Sequence, residues 1–64
     1  PMKKYIWTYK NKNCELVENN IDNLCEKIND IEETKINKWM IFNYLQKKVK
    51  HPNPLVLNIS RIQI

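Results

Sequence analysis

Lys3 to Tyr9 places Tyr5, Trp7 and Tyr9 on one side of an alternating pattern and Ile6 and Thr8 on the other. Aromatic and β-branched residues at a period of two suit a pleated strand. Lys10, Asn11, Lys12 and Asn13 form a polar break, and Cys14 to Val17 resumes a short run. Together they predict a β-hairpin with asparagine in its turn.

The period then changes. Ile21, Leu24, Cys25, Ile28 and Ile31 recur at helical spacing, with Asp22, Glu26, Lys27 and Asp30 outside the stripe. Asn19 or Asn20 can cap this helix, and Asp22 suits the positive end of its dipole. A second helix is expected from about Glu33 to Lys50, beginning near Asp30 or Thr34, where Asp30 and Glu33 have capping-box spacing. It ends before His51 and Pro52. With no glycine or proline to interrupt them, the two helices could form one rod of about 30 residues, roughly 45 Å long; a break around Asn29 to Thr34 is the favoured reading.

At 100° per residue, Ile36, Trp39, Met40, Ile41, Phe42, Tyr44 and Leu45 cover the whole circumference of this second helix. A helix apolar on every side calls for cover on every side, and so small a domain has little to offer. Trp39, Phe42 and Tyr44 are therefore expected at a protein interface, with a homodimer or another protein as partner, unless Trp39 and Tyr44 simply lie partly exposed as scattered aromatics do. After a turn at His51, Pro52, Asn53 and Pro54, Leu55 to Ile64 reads as a strand. Its phase slips: Leu55, Leu57 and Ile59 share one face while Ile62 and Ile64 take the other, which a β-bulge near Ser60 or a strand buried on both faces would reconcile.

The expected fold is a single α+β domain over residues 2–64: a β-hairpin, two helices and a C-terminal strand, making a three-stranded antiparallel sheet with helices on one face. Pro1 before Met2 reads as an expression-tag remnant. A chain of 64 residues buries only roughly 60% of its unfolded surface, so its stability is marginal without a partner, a metal or disulfides. Two cysteines are too few for a disulfide scaffold, and no apolar run reads as a signal peptide or membrane span, which together predict an intracellular protein with no membrane contact. Zero glycines and ten asparagines beside abundant lysine and isoleucine match an AT-rich genome, such as that of a virus or phage. Left-handed turn and helix-stop positions are then expected to fall to asparagine.

Charge divides the chain. Glu15 to Glu33 holds seven acids and one base, a net −6; Thr34 to Ile64 holds six bases and no acid, a net +6. Lys35, Lys38, Lys47, Lys48, Lys50, His51 and Arg61 are the expected contacts to DNA, RNA or an acidic partner, with Lys3, Lys4, Lys10 and Lys12 secondary. The lone arginine argues against base readout. Tyr5, Trp7 and Tyr9 could stack bases, but such a stripe is more often core.

No reaction is legible. One histidine, no nucleophile with an identifiable base and no glycine for a phosphate loop argue against an enzyme. Cys14, Cys25 and His51 lack the paired spacing of a zinc site, so no metal or cofactor is expected. Two functions remain: a small binding protein whose basic half contacts nucleic acid or nucleoprotein, or an interaction module that inhibits or recruits a host protein through its apolar second helix and acidic first helix.

Overall fold

Asparagine side chains decide where the elements begin. In the computed structural model, which describes residues 4–47 and 53–64, Asn11 Oδ1 accepts from the N–H groups of Asn13 (2.9 Å) and Cys14 (2.8 Å). This side-chain turn closes a hairpin between β1 (Tyr5–Lys10) and β2 (Glu15–Glu18). Asn20 Oδ1 accepts from Asp22 N (2.8 Å) and Asn23 N (3.2 Å), capping α1 (Ile21–Glu32). Asn37 Oδ1 accepts from Met40 N (3.1 Å) and caps α2 (Lys38–Leu45).

Asn29 joins the two helices. Its Oδ1 accepts from Thr34 Oγ1 and Ile36 N, both at 2.9 Å, and its Nδ2 donates to the Ile36 carbonyl at 2.9 Å. The chain therefore turns between Glu33 and Asn37, and the second helix starts later and is shorter than its apolar pattern predicts. Asp30 lies inside α1, so the expected capping box there is not formed; the cap is Asn37.

The left-handed positions do not fall to asparagine. Among the described residues they are Glu33 (φ 56°) and Lys47 (φ 57°), which end α1 and follow α2. The asparagines act through their side chains instead, satisfying the free N–H groups that an element's start exposes.

The C-terminal segment is also corrected. Val56–Asn58 forms a short 3-10 turn and only Ile59–Gln63 is strand, β3. The phase slip comes from this turn, which buries Val56 and Ile59 and leaves Leu57 exposed, and not from a bulge near Ser60.

The sheet order is β2-β1-β3, antiparallel throughout, with Trp7 opposite Glu18 on one side and Arg61 on the other. The expected small α+β fold is thus the observed one. Trp7 and Tyr9 of β1 pack with Ile59, with Leu24, Cys25 and Ile28 of α1, and with Ile36, Ile41 and Val56. The aromatic stripe is core, and the Tyr9 hydroxyl accepts from Asn11 Nδ2 at 3.2 Å. Ile31, placed in the apolar stripe by its spacing, is exposed at the end of α1. Among the described residues no helix is long and apolar enough to cross a membrane. Lys3, Lys48, Lys50, His51 and Pro52 lie outside the described residues, and the second helix, expected to run to Lys50, stops at Leu45.

Candidate interaction surface around Trp39

The apolar circumference of α2 is resolved unevenly. Ile41 is buried, Met40, Phe42, Tyr44 and Leu45 are half-buried, and Trp39 leaves 63% of its surface exposed. The Asn37 cap sets Trp39 in the first turn, where its ring meets Phe42 edge-on with centroids 5.8 Å apart. Phe42 in turn lies 6.0 Å from Trp7, and Trp7 6.0 Å from Tyr5. A ribbon of four rings thus runs from the buried sheet to the surface, anchoring Trp39 on the core.

Among the described residues two cations rest on this ribbon. Lys38 Nζ is 5.4 Å from the Trp39 centroid, and Arg61 Cζ is 4.6 Å from Tyr5 and 5.7 Å from Trp7. All three distances are within cation–π range. Arg61 is held over its own sheet because it stands opposite Trp7 in the strand register.

Beside Trp39 opens a groove of about 420 Å³ between the two helices. Asp22, Glu26 and Asp30 line it from α1, and Asn37, Lys38 and Trp39 from α2. The three carboxylates recur every four residues and so follow one line along the helix. Among the described residues, ion pairs join Lys27 to Glu18 at 3.1 Å and Lys10 to Glu15 at 3.8 Å, and none involves these three acids. The groove is therefore negative along one wall, while the other is aromatic with the Lys38 ammonium over the indole.

Cys25 also lines the groove. Burial, and secondarily the Asp22 carboxylate, pushes its thiol above the ordinary value, so it stays protonated at neutral pH. Both cysteines are free thiols. Among the described residues no cluster of three or more His, Cys, Asp or Glu side chains could hold a metal ion.

No protein-family model matches the chain, and comparison with curated proteins and with solved structures finds no match.

The expected contact residues are dispersed. Lys38, Trp39, Phe42 and Arg61 come together through the aromatic ribbon. Lys35 is exposed in the turn before α2, and Lys47 is exposed after it. Tyr44 lines a separate hollow with Leu45 and Lys47. Lys10 and Lys12 lie at the hairpin end, and Lys4 precedes β1. The acids of α1 were legible in the sequence as a charged outer face. Their position beside Trp39 was not, because it depends on where α2 folds back.

Proposed function

We propose that this chain is a non-enzymatic binding module that seats a basic polypeptide segment in the groove between α1 and α2. Support comes from one juxtaposition: the line of Asp22, Glu26 and Asp30 faces the exposed Trp39 across an open groove. An arginine or lysine in the partner would meet carboxylates with its head group while its aliphatic stem lies along the indole. Tryptophan anchored on a rigid core is the residue type that most often carries binding energy at such interfaces. Its support by Phe42 and Trp7 limits the conformational entropy lost on binding.

Nucleic-acid contact through Lys35, Lys38, Lys47 and Arg61 has weaker support. A base stacked on Trp39 would bring its phosphates beside three carboxylates, and the Arg61 guanidinium is already held against Tyr5 and Trp7.

Isothermal titration with an arginine- and leucine-rich peptide, and in parallel with oligothymidine, separates the two. The peptide is expected to bind, with affinity reduced at least about tenfold by Trp39→Ala or Glu26→Lys, since each tenfold step is 1.4 kcal/mol and a hot-spot truncation costs ~2 kcal/mol. Oligothymidine binding that falls steeply with salt, with the peptide ignored, would overturn the proposal.

A further inference from the structure

Among the described residues no strand pairs with the outer edge of β3, and Arg61 is the one charge on that strand that could keep another chain from pairing there. The N–H of Ile64 donates to the Lys4 carbonyl at 2.9 Å. Antiparallel alternation then makes Ile6–Ile62 and Thr8–Ser60 the hydrogen-bonded pairs of the β1–β3 ladder. Arg61 and Gln63 consequently direct their backbone N–H and C=O groups away from β1, to the edge of the sheet. Natural edges are blunted by proline, charged side chains, bulges or shortness. Over its five residues β3 has no proline, lysine or acid, and its one charge, Arg61, is drawn over Tyr5 and Trp7 of its own sheet. The opposite edge, β2, has four residues, two of them glutamates.

The exposed face of β3 is apolar as well. Ile62 and Ile64 leave 58% and 74% of their surfaces exposed on the sheet face opposite the helices. Half-buried Ile6 stands beside Ile62 in the register.

We infer that two copies of this chain pair through their β3 edges, antiparallel about a two-fold axis at Ile62, to form one six-stranded sheet. The occupant is a second copy because the edge complements itself. About that axis Arg61 exchanges backbone bonds with Gln63 of the second copy, and Ile62 stands opposite Ile62 of the second copy. The latter is a non-hydrogen-bonded pair, where side chains approach most closely. No like charges oppose each other. An axis at Arg61 would instead set two guanidinium groups face to face. Arg61 is also held over Tyr5 and Trp7 of its own sheet, which clears the edge for the incoming strand.

A contact of this length buries less than the roughly 800 Å² per partner of a standard interface, so the dimer is reversible and its mass depends on concentration. Sedimentation across a concentration series, with amide hydrogen exchange, tests it. The mass is expected to rise from one chain to two. Over the same range the Arg61 and Gln63 amides gain protection, while that of Ile62, already bonded to β1, does not. Ile62→Lys changes an exposed side chain and Gln63→Pro removes an outward-facing donor; each is expected to keep the protein monomeric. Val17→Lys, on the same sheet face but on β2, leaves dimerisation intact. A mass of one chain at every concentration would sink the pairing. So would a dimer that survives Ile62→Lys, one abolished by Val17→Lys, or assembly that grows beyond two chains.

Discussion

Glu33 offers the sharpest test of how this chain manages without glycine. It ends α1 in the left-handed conformation, at φ 56° and ψ 47°, with its N–H donating to the Asn29 carbonyl. For a residue with a Cβ that conformation costs ~1–2 kcal/mol. Glycine removes the clash but adds unfolded-state freedom worth ~0.4–1 kcal/mol, leaving a net gain of ~0.5–1 kcal/mol. A second, smaller effect is electrostatic. Glu33 sits at the negative end of a helix whose last turn carries no base, so removing its charge adds ~0.3 kcal/mol. Glu33→Gly should therefore stabilise the fold by ~1 kcal/mol, a rise in melting temperature of about 4–8 °C for a domain of this size. Glu33→Ala keeps the Cβ and should recover only the charge contribution. Thermal and urea unfolding of the two variants beside the parent separate these effects. If alanine stabilised as much as glycine, backbone strain would not be the cause.

Further outcomes follow from the packing. Asn29→Ala removes an acceptor and a donor from the turn before α2 and leaves the Ile36 N–H without its partner; a loss of ~2–3 kcal/mol is expected in urea unfolding. Trp7→Ala hollows the core at a residue only 5% exposed and should cost ~3–5 kcal/mol, enough to abolish the cooperative transition. Trp39→Ala should instead melt within a few degrees of the parent while losing peptide binding. Burial raises the Cys25 thiol pKa, so the folded state holds that proton more tightly than the unfolded chain does. The linked stability is present below the ordinary thiol value and is lost as pH rises through the raised one. The unfolding free energy of the parent should accordingly fall relative to that of Cys25→Val in alkali. Thiol reagents should label half-buried Cys14 before Cys25.

The hairpin strands and α1 were legible because each has one face turned to the core, and a single such face writes its period into the sequence. Trp7 and Tyr9 at a period of two, and Leu24, Cys25 and Ile28 at helical spacing, all reached the core. α2 was misjudged because its apolar residues serve different neighbours. Ile41 enters the core, Phe42 supports Trp7 and Trp39 faces outward, so no stripe marks its limits. The true stop signals lay in asparagines. Asn29 and Asn37 act through side-chain bonds to Ile36 and Met40, and periodicity cannot distinguish a capping asparagine from a solvated one. The 3-10 turn at Val56–Asn58 was hidden in the same way, since its apolar residues imitate a strand out of phase.

The groove and the free edge occupy different parts of the fold, and their independence can be tested. α1 packs over β1 and β2, the half of the sheet remote from the open edge of β3. Joining two β3 edges would therefore leave each acidic groove open, one on either half of a continuous sheet. A dimer so built is bivalent for basic segments, and linking two such segments in one ligand raises avidity by up to ~10²–10⁴ where the linker spans both sites. Ile62→Lys should leave affinity for a single short peptide unchanged while removing the gain for the tandem peptide. Trp39→Ala should weaken both peptides and leave the dimer mass unaltered. If Ile62→Lys also weakened the single peptide, the two surfaces would be one, and the groove between α1 and α2 could not be the binding site.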